Sequence, residues 1–182
     1  MKFNFNLKKF ILWVVAITAA VAASIGFIVA KAEAHGLISS TEISSISSDL
    51  ILTSTIGYSI AYSGLRSDHR VKRMTTGISM LAVNHLVTET LKNVTGRTRP
   101  DGSDKKSFPS GHTSAAFTAA AFVCSQRVDA HCYVTTFMAG TVGILRVMAK
   151  RHHISDVIAG MAIGVFHGAK GPEFYPALIM RF

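Results

Sequence analysis

Three short segments carry cations, histidines and a carboxylate at spacings that could hold an anion and move protons around it. In the first, KNVTGRTRP, Lys92 and Arg99 stand seven residues apart. Gly96 and Pro100 interrupt the helix there, so both side chains can fold back over one anion. The same composition also suits a basic loop at a membrane surface. In the second, Phe108-Pro109-Ser110-Gly111-His112 opens an apolar helix. The free backbone N–H groups and positive dipole end of such a helix form an anion site. Gly111 lets the backbone come close, Ser110 adds a hydroxyl and an N-cap, and His112 on the first turn can give a proton to a leaving oxygen. Pro-Ser-Gly helix starts also occur in proteins with no such site.

The third segment is RVMAKRHHISD, Arg146 to Asp156. With a helix expected from residue 153, His152 and Asp156 are four apart, which puts the carboxylate beside the imidazole. A histidine held in this way serves as nucleophile or base. His153 is the rival, but its own i,i+4 neighbour is Val157 and it faces another side.

These segments need a frame, and the composition supplies one. The chain has 182 residues, 49% apolar and 16% charged, enough for one domain with a substantial core and incompatible with disorder. Lys and Arg outnumber Asp and Glu by 19 to 10, so charged partners are anions. Helices are expected at 49–65, 74–91, 112–128, 132–149 and 153–169, with Ser48 and Ser110 as N-caps and no strand. The Ser-rich stretch 39–48 reads as a solvated connection, and 170–182 as a short tail. Nucleic acid is excluded as a partner, because the basic residues sit scattered at helix ends with no interleaved aromatics. Cys124 and Cys132 are too few for a disulfide framework and read as core thiols, with a bridge between them left open.

Residues 10–30 form an uncharged apolar run behind Lys8 and Lys9, long enough to span a bilayer as a sixth helix. Ala32-Glu33-Ala34 has the small-x-small form of a signal-peptidase site, so the run reads either as a retained anchor or as a signal peptide ending at Ala34. Its length exceeds a usual secretory core and favours the anchor. The later helices carry Thr, Ser, Asn84, His85 and Glu89, and the mean hydropathy of +0.36 is modest for six spans. With residues 1–9 in the cytoplasm and all six helices spanning, ten of the 19 basic residues fall on the cytoplasmic side. That bias is weak but has the right sign.

Taken together, Lys-x6-Arg-Pro, Pro-Ser-Gly-His and Arg-x5-His-x3-Asp resemble the three-part signature of the type 2 phosphatidic acid phosphatase superfamily, across residues 92–156. The resemblance implies an all-α, six-helix membrane-embedded bundle with the motifs at 92–100, 109–112 and 146–156 on one face. It also implies roles. Lys92, Arg99 and Arg146 would grip the phosphoryl oxygens, with Ser110 and Gly111 adding hydrogen bonds. His152 would attack phosphorus, Asp156 would orient it, and His112 would protonate the leaving alkoxide. Three fixed cations would take the place of a metal, so no cofactor is expected.

Two features depart from the family pattern. Leu145 stands where the third motif usually has serine, and the loop from Asp101 to Phe108 is short. Lys105 and Lys106 on that loop read as a solvated run or as contacts to a second phosphate or headgroup. The expected protein is a multi-pass enzyme of the bacterial inner membrane, its site facing the periplasm, with a lipid phosphate as substrate and membrane lipids around it. Oligomeric state carries no signal. The alternatives are a secreted soluble acid phosphatase of the same superfamily and a non-catalytic binder of anionic lipid, the latter having no need for a placed acid and nucleophile.

Overall fold

A capping box opens the first helix: Ser39 Oγ accepts the Glu42 N–H at 3.3 Å, and Glu42 Oε2 accepts the Ser39 N–H at 2.9 Å. The computed structural model describes residues 31, 35–36, 38–66 and 68–179, with side chains as far as 170. The apolar run at 10–30 and the Ala32–Ala34 cleavage motif lie outside the described residues. Among the described residues five helices are delimited: α1 (Ser40–Leu65), α2 (Arg70–Thr95), α3 (Gly111–Gln126), α4 (Ala130–Met148) and α5 (Ile154–Ile179). Among the described residues there is no strand. The chain divides into two units, Met1–Ile43 and Ser44–Phe182, and the core and candidate site lie in the second.

The five expected helices that fall on described residues form, with three corrections to their extents, α2 running four residues beyond 74–91 at each end. The stretch 39–48 is helical from Ser40 rather than a connection, because the Ser39–Glu42 cap satisfies its first amides. Ser48 is consequently no cap: it lies inside α1, buried, donating to Ser45 O at 2.7 Å. At the other end, α5 continues past 169 to Ile179.

α3 is the central helix, and its small side chains explain why. Thr113, Ser114, Ala116, Phe117, Thr118, Ala119, Ala120, Phe122 and Val123 are buried, which covers every side of the helix. α5 meets it along a stripe of glycines. A Cβ at Gly160 would stand 2.5 Å from Ser110 O, at Gly164 2.3 Å from Ser114 O, and at Gly168 2.5 Å from Thr118 O. Backbone therefore packs on backbone. On its other sides α3 meets α4 through Val142 and Gly143, and α2 through Phe122 against Gly77. Ile51 and Leu52 of α1 also pack on the core.

Most hydroxyls of this core are satisfied within their own helix, buried Ser59 Oγ being an exception. Thr55, Thr76, Thr88, Thr118 and Thr135 each donate to a carbonyl three or four residues back, presenting their methyl groups to neighbours. Buried Asn84 accepts from Ser114 across the α2–α3 contact. Among the described residues no helix is long and apolar enough to cross a membrane.

At the end of the molecule where α3 and α4 join, Cys124 and Cys132 form a disulfide, their Cα atoms 4.7 Å apart. Neither is a core thiol. Tyr58, Tyr62, His131, Asp129 and Arg66 cluster beside it, with Tyr62 donating to Asp129 at 3.1 Å and Arg66 to Tyr62 at 2.9 Å.

Candidate active site

The three motif segments converge at the other end, where α2 stops and α3 and α5 begin. Gly96 ends α2 in the left-handed conformation (φ 54°), its N–H bonded to Lys92 O at 3.0 Å. The chain then turns back as a loop over 97–110. Ser107 N–H donates to Arg97 O at 2.9 Å, and Asp101 N–H to Lys150 O at 3.2 Å, tying that loop to the α4–α5 turn.

His152 lies in that turn, just before α5, and is 2% exposed. Its Nδ1 donates to the backbone carbonyl of Ser107 at 2.7 Å, which fixes the tautomer and leaves the lone pair on Nε2. That Nε2 faces Arg99 Nη1 at 3.4 Å. Burial, reinforced by Arg99 and Arg146 against the opposing Ser107 bond, pushes the imidazole down to about 3. It is neutral at pH 7.

Asp156 is fully buried but makes no hydrogen bond to His152, contrary to the i,i+4 expectation. The helix begins at Ile154, so His152 is outside it and the spacing does not apply. Asp156 instead reaches back to the His153 N–H at 2.9 Å, and also accepts from Ser107 Oγ at 2.5 Å and Arg97 Nη1 at 2.6 Å. It holds Ser107, whose carbonyl holds His152. His153 turns away to Thr98 O, 3.2 Å from its Nε2.

Ser110 caps α3. Its buried Oγ accepts the Thr113 N–H at 3.4 Å and shares a proton with Thr113 Oγ1 at 2.9 Å, while its own N–H donates to Asp156 O at 3.0 Å. The bare Cα of Gly111 admits Lys92, whose Nζ would stand 3.1 Å from an added Cβ. Lys105 and Lys106 are exposed on the loop.

Each expected cation has an acidic partner. Lys92 Nζ bonds Glu89 at 2.5 Å, and Arg99 Nε bonds Asp104 at 2.7 Å, holding the Asp104 carboxyl below its ordinary range. Arg146 is 4% exposed; its Nη1 reaches Ser48 Oγ and Asp49 Oδ1, each at 3.2 Å. Its buried Nε has no hydrogen-bond partner among the described residues, which leaves a donor for an anion. His112 Nε2 meets the same Asp49 oxygen at 3.0 Å.

The eight expected residues thus lie on elements that meet at one end of the unit, and Arg99 touches His152 directly. Sequence reasoning missed Asp49, Ser107, Arg97, Glu89 and Asp104. Only Glu89, three residues before Lys92 on the helix, had a readable signal. The arrangement offers a buried neutral imidazole with a lone pair on Nε2, a second imidazole paired with a carboxylate, and three cations near a helix N-terminus. It is equipped to transfer a phosphoryl group.

Comparison with known proteins agrees. The family model of the PAP2 superfamily matches residues 74–177. Lipid A 1-phosphatase of Porphyromonas gingivalis is 38% identical over 79 residues, 42% of this chain and 18% of that protein. Lipid A 1-phosphatase of Rhizobium johnstonii is 35% identical over 98 residues, 44% of this chain and 39% of that protein. The chain therefore spans well under half the length of these relatives. Among solved structures, Aquifex aeolicus LpxE superposes with a TM-score of 0.54 at 22% identity, over 69% of this chain and 86% of that one. The first transmembrane PAP2 type phosphatidylglycerolphosphate phosphatase from Bacillus subtilis gives 0.60 at 21% identity, over 92% and 94%. At these identities the likeness is one of fold.

Proposed function

Since the chain belongs to the PAP2 superfamily, we propose that it is a metal-independent phosphatase acting on a lipid phosphate or diphosphate through a phosphohistidine on His152. The observation that carries this reading is the buried, neutral His152, with Nδ1 locked on Ser107 O and Nε2 turned to Arg99. Nε2 attacks phosphorus while Lys92, Arg99 and Arg146 stabilise the charge on the phosphoryl oxygens. As the P–O bond breaks, His112 passes its proton to the leaving oxygen. Neutral His112 then takes a proton from water, whose oxygen attacks phosphorus; the P–N bond breaks and its electron pair returns to Nε2. Ser110 and Gly111 shape the helix start that receives the phosphoryl group, and Asp156 positions His152 through Ser107.

The names of the relatives make lipid A 1-phosphate and phosphatidylglycerophosphate the first substrates to test. Membrane embedding, with residues 10–30 as a sixth helix and the site at the periplasmic face of the inner membrane, draws support from apolar side chains left outside the core. Tyr133, Phe137, Ile144 and Met148 of α4, and Ile154, Ile158, Met161 and Val165 of α5, are exposed at helical spacing. A second reading, a secreted phosphatase cleaved after Ala34, is favoured by the disulfide. α3 is 16 residues long, so Cys124 lies roughly 20 Å from the site end. In a spanning arrangement that end would face the cytoplasm, where thiols stay reduced.

Phosphate release in chelator and detergent, from both lipids and a soluble ester, tests the activity. We expect release that His152→Ala lowers at least 1,000-fold; equal release in the variant removes His152 as nucleophile, and none from folded wild type leaves an anionic-lipid binder. Thiol alkylation in intact cells and N-terminal sequencing separate the two locations. Blocked thiols and a mature N-terminus at His35 mean secretion; reactive thiols and a retained Met1 mean the anchored form.

A further inference from the structure

We propose that Asp49, contributed by α1 from outside the three motif segments, is a positioning residue that orients His112 and favours its protonated form for release of the leaving oxygen. The proposal rests on the phosphatase reading above. Asp49 Oδ1 lies 3.0 Å from His112 Nε2 and 3.2 Å from Arg146 Nη1, so one carboxylate oxygen spans the acid and a phosphate-gripping cation. Residues 49 and 112 come from separate helices 63 positions apart, and the family match begins only at residue 74.

The electrostatic setting explains why an acid here needs a carboxylate. The charges that act on His112 are Arg146 of α4, Lys92 of α2, Arg99 of the loop and Asp49 of α1. Burial first and then the three cations favour loss of the proton; Asp49 opposes them. A general acid that has already lost its proton cannot assist departure of an alkoxide. With Nε2–H donated to Asp49, the ring is held in one orientation and Nδ1 carries the proton for the leaving oxygen. During hydrolysis of the phosphohistidine the same nitrogen takes a proton from water, and the carboxylate stabilises the imidazolium that results.

Asp49→Asn keeps the shape and removes the charge, and the Asp49 side chain is 55% exposed, so the variant is expected to fold. The first readout is the pH profile of kcat on the lipid phosphate that wild type hydrolyses best. The alkaline limb, which reports loss of the acid's proton, is expected to move down by about one pH unit. The second is the leaving group. Turnover of the alkyl phosphate should fall on the order of 100-fold, while 4-nitrophenyl phosphate, whose phenolate departs without a proton, should lose less than about 3-fold. Asp49→Glu should restore the limb towards its wild-type position. An unmoved alkaline limb overturns the proposal, as does an equal fractional loss on both esters, which would mark a structural or purely phosphate-binding role. His152→Ala serves as the control: if it retains activity, the phosphohistidine reading fails, whatever Asp49 does.

Discussion

His152 and Asp156 stand at the same end of the unit, joined through Ser107: its carbonyl takes His152 Nδ1 and its hydroxyl donates to Asp156. Arg-x5-His-x3-Asp placed the two side by side, but Ser107 lies 45 residues upstream of the histidine, which no spacing rule reaches. Asp49 was hidden for the same reason: its partners come from other helices. Two predictions belong here. Ser107→Ala keeps the carbonyl that holds His152 but removes one of the donors to Asp156, so kcat should fall less than in Asp156→Ala, which frees the whole loop; the kinetics of the two variants check this. The depressed pKa of His152 also has a thermodynamic sign. The unfolded histidine takes up a proton near pH 6.5, the folded one only at about 3. Stability is therefore fully present above 6.5 and is lost as pH falls through the window from 6.5 to 3, by at most about 1.4 kcal/mol per pH unit. Melting curves at pH 7 and pH 5 should differ less for His152→Gln than for wild type.

Among the helices, the existence of all five described elements was legible from apolar runs bounded by charge, Gly and Pro. Their extents were not. The Ser-x-x-Glu signature at Ser39–Glu42 was present in the sequence, yet the serine-rich composition around it pointed to a loop. Gly160, Gly164 and Gly168 of α5 recur every four residues, and only tertiary structure reveals that each faces an α3 carbonyl. Gly160→Ala forces a methyl to 2.5 Å from Ser110 O, the residue that caps α3. We expect a loss of about 1–3 kcal/mol together with reduced kcat, because α3 and α5 carry His112 and Asp156. Gly57→Ala in α1, whose Cβ meets nothing within 4 Å, should leave kcat unchanged and raise stability by about 0.5–1 kcal/mol. Denaturant titration and steady-state kinetics on the two variants check the contrast.

For the whole molecule, the sequence conveyed an all-helical fold and a basic balance, whereas the pairing of Cys124 with Cys132 depended on how α3 and α4 meet. Reduction opens a short loop far from the chemistry, so stability should drop by about 2–3 kcal/mol while kcat below the melting point stays constant; calorimetry and assays with and without reductant check it. The pairing of Lys92, Arg99 and Arg146 with Glu89, Asp104 and Asp49 has a consequence for turnover under the proposed function. If these cations grip the phosphoryl group, its departure would return each to its carboxylate. Emptying the cradle would then exchange one set of ion pairs for another and ease release of the product.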